Sequence, residues 1–218
     1  MAIKFKEVAT KKRELVPAGS HVARIVKIIE IGRTTYTYLG EEKQKYAVEL
    51  TFELPNELRV FNEDKGEQPF FVSLEYNLSR YEKAKLMIHL GSLENKVFTE
   101  DEMLDLDVAS YIGRACMVTI IHKVSKKGNT YDWVQNVSSV PKGLKVPDIV
   151  NPPLVWDYDT NFDLDVFSTF PEWLQEKIKS TPQWKEKRAE RRSDIVANVK
   201  FDAVDPEILE ENNNDLPF

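Results

Sequence analysis

The sequence predicts a mainly β protein, with five strands, one helix between the third and fourth, and a partly helical extension that ends in an acidic tail. Three observations carry this. Residues 45–54 and 70–76 alternate apolar and polar side chains with period two. The period becomes helical after Ser79 and returns to a strand pattern at Ala115. Beyond Val146, Pro147, Pro152 and Pro153 mark a shift in composition.

Residues 1–19 read as a charged leader that contains Lys11, Lys12 and Arg13 and ends on the turn signal Pro17-Ala18-Gly19. Residues 21–31 are rich in Val and Ile and stop at Gly32, so they form the first strand. Its imperfect alternation suits a strand that coils and changes faces. Residues 33–43 are polar and aromatic and read as a hairpin loop. In the second strand Tyr46, Val48, Leu50, Phe52 and Leu54 share one face, with Lys45, Ala47, Glu49, Thr51 and Glu53 on the other, and Pro55 closes it. The acidic stretch 56–68 reads as a loop. The third strand puts Phe70, Val72, Leu74 and Tyr76 on one face and Phe71 on the other.

Ser79-x-x-Glu82 has the form of a capping box and predicts a helix ending at Gly91. Thr99-x-x-Glu102 predicts a second, short helix through about Leu106. Residues 115–123 and 130–140 are the fourth and fifth strands, joined by the basic turn Ser125-Lys126-Lys127-Gly128-Asn129. This element order is that of the OB-fold, a five-stranded Greek-key barrel. The barrel domain spans 20–145, followed by a Pro-rich linker and helical extension over 146–200 and an acidic tail over 201–218. In the extension, Phe170-Pro171-Glu172-Trp173 opens one helix with Leu174 and Ile178 on its apolar side. Thr181-Pro182 opens another, with Thr as N-cap and Pro at the first helical position. That helix carries Lys185, Lys187, Arg188, Arg191 and Arg192.

The net charge of −6 is unevenly spread, since residues 201–218 hold six acids and no base, and the preceding residues balance. The average therefore does not argue against an anionic partner for the barrel. A single cysteine, Cys116, excludes an intrachain disulfide and a Cys-based zinc cluster and fits a reducing, cytoplasmic compartment. No apolar run reaches the roughly 18 residues of a membrane span. His21, His89 and His122 have no metal-ligand spacing, and no phosphate-binding loop or nucleophile motif occurs, so no enzyme and no cofactor are expected. Asp157-x-Asp159 with Asp163-x-Asp165 could hold Mg²⁺, or cap local turns.

Single-stranded nucleic acid needs cations along its phosphates and flat rings under its bases. The first loop and its edges offer Arg33, Tyr36, Tyr38, Lys43 and Lys45. The second offers His122, Lys123, Lys126 and Lys127, followed by Tyr131 and Trp133. Tyr131 and Trp133 can stack on bases or fill the barrel. The lysines of the second loop can bind phosphate or keep a hairpin soluble. Phe71 lies on the candidate binding face, and Glu49, Glu53 and Glu75 there would repel phosphate. In the acidic tail, Asp215, Leu216, Pro217 and Phe218 form a carboxylate-and-apolar tip suited to capture by a partner protein.

This tip resembles the acidic tip of bacterial single-stranded-DNA-binding proteins. Residues 17–25, 125–131 and 170–182 resemble a group of tailed-phage single-stranded-DNA-binding or replication proteins. The resemblance implies an OB-fold that coats single-stranded DNA in phage replication or recombination, and a tail that recruits replication or recombination proteins. The helical, basic extension departs from the long Gly/Gln-rich linker of the bacterial proteins, so their tetrameric wrapping is not expected. The alternative from another class is an adaptor whose barrel binds protein.

Overall fold

A computed structural model describes residues 14–201, apart from the side chains of Asn62 and 194–201. Its β-strands are β1 (Gly19–Tyr38), β2 (Glu41–Asn62), β3 (Gly66–Asn77), β4 (Ala115–Val124), β5 (Thr130–Ser138) and β6 (Leu154–Trp156). Its α-helices are α1 (Lys85–Glu94), α2 (Glu100–Leu104), α3 (Leu164–Ser168), α4 (Glu172–Lys179) and α5 (Pro182–Phe201). The chain divides after Asp163 into two compact units.

In the first unit the sheet order is β3-β2-β1-β4-β5, with antiparallel neighbours throughout. The sheet curls, and α1 packs on both β5 and β3, the strands at its two edges. This is the predicted five-stranded OB barrel with its helix between strands three and four. Burial of Leu50, Phe52, Leu54, Val72, Leu74 and Tyr76 follows the period-two pattern, and Cys116, Val118, Ile120 and Val134 close the core from the other side. Each such large apolar side chain contributes roughly 1.5–3 kcal/mol by leaving water. The Cys116 thiol is fully buried, and that burial pushes its pKa up to about 12.

Several boundaries differ from the sequence expectation. Residues 33–43 are not a loop. β1 and β2 stay paired out to Tyr38 and Glu41, forming a long two-stranded arm. Its two-residue turn, Leu39-Gly40, has φ of 52° and 81°, the positive values a tight hairpin needs. Pro55 does not end β2. It sits in an irregularity between Leu54 and Leu58, where its missing N–H breaks the ladder, and the strand resumes to Asn62. The expected loop at 56–68 is therefore mostly hairpin. β1 carries bulges between Ile25 and Lys27 and between Glu30 and Gly32, which account for its imperfect alternation.

The Ser79 capping box does not form. The Ser79 hydroxyl accepts from the Tyr81 N–H instead, and α1 begins six residues later, at Lys85. Gly91 lies inside α1, and the helix ends at Asn95 with φ 54°. A Cβ on Gly91 would stand 2.7 Å from the Lys96 carbonyl oxygen, so glycine permits a close return of the chain there. The Thr99–Glu102 box forms with both reciprocal hydrogen bonds.

The stretch after Val146 is more than a linker. Residues 154–156 are β6, paired in parallel with Lys27–Ile29 of β1. Before β6 the chain crosses the sheet. Arg24 donates to the Pro147 and Val146 carbonyls, and the Glu53 carboxylate accepts from the Val150 N–H, the Asn151 N–H and the Asn151 side-chain amide. Glu53 is fully buried beneath this strap.

In the second unit, α3 forms where the sequence pointed only to acidic and aromatic character. Leu174 and Ile178 of α4 are buried as expected, and the Thr181 hydroxyl caps α5 by accepting from the Trp184 N–H at 3.3 Å. Trp184 packs on Phe167, with ring centroids 4.2 Å apart.

Candidate nucleic-acid interface

The β1–β2 arm organises the first predicted cluster. Residues directly opposite in an antiparallel pair share a face. The pairs Thr34 with Lys45, Tyr36 with Lys43 and Tyr38 with Glu41 therefore put both tyrosines and both lysines on one side of the arm. Tyr36 and Tyr38 are 41% and 55% exposed, enough ring for a base to reach. The Lys43 ammonium stands 5.0 Å from the Tyr38 ring centre and Lys45 stands 5.9 Å from that of Tyr36. Both cations have carboxylates close by, Glu41 at 3.7 Å for Lys43 and Glu75 at 2.6 Å for Lys45. Arg33 is exposed one residue beyond the bulge, on the opposite side of the arm from Tyr36, paired with Tyr46.

Phe71 faces away from the core, beside Glu53 in register, with the Lys27 ammonium 5.9 Å from its ring centre. That outer face is mixed in sign. Glu49 and Thr51 are buried on it, and the strap covers its Arg24–Glu53 end.

The second cluster lies on the β4–β5 hairpin. The turn is closed by the Ser125 N–H donating to the Asn129 carbonyl, with Gly128 at φ 81°. Lys126 and Lys127 are exposed at its tip. Lys123 pairs with Tyr131, and Ile121 with Trp133, on one face of the hairpin. Tyr131 is 38% exposed and stands edge-on to Trp133, 6.5 Å between centroids. Trp133 is half-buried and packs against the core, as expected of a ring that helps to fill the barrel. His122 points to the other face, where its Nε2 lies 2.7 Å from the Val16 carbonyl and 3.7 Å from Asp132. Its ring is held by the fold, a contact that no local pattern announces because Val16 is remote in the chain.

The two clusters do not form one local groove. Gly19, at the start of β1, pairs with Ile120 of the hairpin-bearing β4, whereas Tyr38 at the end of β1 is the tip of the arm. Lys85 is a member of the second cluster that sequence reasoning missed. As the first residue of α1 it sends its ammonium to the Val134 carbonyl, 3.0 Å away, and to the Trp133 ring. Its position in the helical pattern carried no sign that it would face β5.

Asp157 caps a turn. Burial raises its carboxyl, but hydrogen bonds from Thr160 and Asn161 outweigh this and bring it down to about 2. Among the described residues no cluster of three or more His, Cys, Asp or Glu could hold a metal. The tip residues Asp215, Leu216, Pro217 and Phe218 lie outside the described residues. Among the described residues no helix is long and apolar enough to cross a membrane. A scan of protein-family models finds no match, and a search of curated proteins finds no relative.

Proposed function

We propose that this protein binds single-stranded DNA with little sequence preference and has no catalytic role of its own. The observation that carries this is the pairing of exposed rings with cations on the barrel's projections, above all Tyr36 and Tyr38 with Lys43 and Lys45 along one side of the arm. Rings of this kind stack on any base, at roughly 1–3 kcal/mol each, while ammonium groups neutralise phosphates. Glu41 and Glu75 beside the arm lysines limit the charge available there, so Lys123, Lys126 and Lys127 carry the larger share of phosphate contacts. The resemblance of residues 17–25, 125–131 and 170–182 to phage single-stranded-DNA-binding proteins supports a role in replication or recombination, with the acidic tail recruiting partner proteins.

The test is a fluorescence titration with labelled oligo-dT across a range of salt. Affinity is expected to fall steeply as salt rises. Absence of binding at low salt rejects the proposal and favours the protein-binding adaptor, for which the exposed Leu58, Val60 and Phe61 on the β2–β3 hairpin offer an apolar surface.

A further inference from the structure

We propose that Lys85 and Lys123, gathered on the ring of Trp133, form an oxyanion site that fixes one phosphate of a bound single strand. This deepens, and rests on, the DNA-binding reading. Three elements converge here: the first residue of α1, the last turn of β4 and the middle of β5. The Lys85 ammonium is 4.4 Å from the centre of the Trp133 ring and the Lys123 ammonium 3.9 Å. Among the described residues neither lysine has a carboxylate within ion-pair distance, unlike Lys43, Lys45 and Lys96, which do.

Two like charges drawn to one ring repel each other, and the quadrupole of the indole offsets only part of that. An anion bound to both removes the repulsion. Burial and the neighbouring Lys123 both pull the Lys85 pKa down, as expected for a cation crowded by a like charge. A phosphodiester suits the site, because it offers its two non-bridging oxygens to two separate donors. Tyr131 stands beside Trp133 with its ring exposed and provides a surface for the attached base. The alternative is that the two lysines merely cover the indole with their stems. Such a cover would leave salt dependence unchanged when the charges are removed.

The experiment uses the full chain with Lys85→Gln, Lys123→Gln and the double substitution. Gln retains a donor for the Val134 carbonyl, and circular dichroism confirms folding. Oligo-dT affinity is measured from low to high salt. Each phosphate neutralised on a single strand contributes about 0.7 to the slope of log affinity against log salt. Each single substitution is expected to lower the slope by up to about 0.7, and the double by no more than about 0.7 in all, because one shared phosphate is lost. An unchanged slope overturns the site, as does a double-variant loss near 1.4, which means two independent contacts.

Titration with tripolyphosphate, read by the fluorescence difference between wild type and Trp133→Phe, separates the site from the DNA reading. A saturable signal in a protein that ignores oligo-dT keeps the anion site, assigns it to a free polyphosphate and rejects the DNA reading. No signal in a protein that also ignores oligo-dT rejects both.

Discussion

Mild acid should destabilise the barrel through His89. It sits in α1, 4% exposed, with its Nδ1 2.8 Å from the Tyr76 hydroxyl. Burial, then the nearby Lys85 charge, lower its pKa from 6.5 to about 4, against a smaller opposing effect from its hydrogen bond to the Gln135 carbonyl. Between those values the unfolded chain binds the proton and the folded chain does not, so stability is lost as pH falls from 6.5 toward 4. From pH 7 to pH 5 this single group removes about 2 kcal/mol. With a urea m-value of roughly 2 kcal/mol/M, the unfolding midpoint should fall by about 1 M. The assay is urea unfolding, followed by tryptophan fluorescence, at the two pH values. The comparison is with His89→Gln, which keeps a donor and an acceptor but cannot titrate. The substitution should flatten the difference. An equal acid loss in His89→Gln would refute the reasoning. Asp157, with its carboxyl near 2, titrates below this window and does not mask it.

Four further outcomes are expected. Gly91→Ala should destabilise by about 1–2 kcal/mol in urea, because the 2.7 Å approach to the Lys96 carbonyl outweighs the roughly 1 kcal/mol gain in helix propensity. Glu53→Ala should cost about 2–4 kcal/mol, since it strands three donors of the strap, and should speed proteolysis within residues 146–151. Lys126→Glu with Lys127→Glu should weaken oligonucleotide binding alike for every sequence tried; a loss confined to one sequence points to base readout instead. Deleting residues 212–218 should leave or tighten DNA affinity and abolish capture of replication proteins in a pull-down.

Local patterns were the legible part of the sequence. The alternation from Tyr46 to Leu54 and from Phe70 to Tyr76 defined two strands and their inward faces, because period two follows from the pleat itself. Thr99–Glu102 and Thr181-Pro182 marked true helix starts, since a cap depends only on residues within one turn. Ser79 carried the same signature and failed, because Leu78 donates its N–H to the Tyr46 carbonyl and holds the chain extended across the place where a helix would begin. The polar composition of residues 33–43 conceals the arm. Both of its faces meet solvent there, so no apolar alternation could announce the strands. β6 and Lys85 were out of reach for another reason, as each is defined by a partner far away in sequence, β1 for one and Trp133 for the other.

The pairing of β6 with β1 has a consequence for synthesis. Lys27, Ile28 and Ile29 emerge early, yet their partners on that edge are Leu154, Val155 and Trp156, roughly 130 residues later. At about 5–20 residues per second, the edge stays open for on the order of 6–25 s. During that interval the nascent barrel offers unpaired backbone beside Ile28 and Ile29, which are buried in the finished fold. A fragment stopped at residue 145, where the composition shifts, would keep that edge permanently open. It should associate with itself rather than remain a monomer.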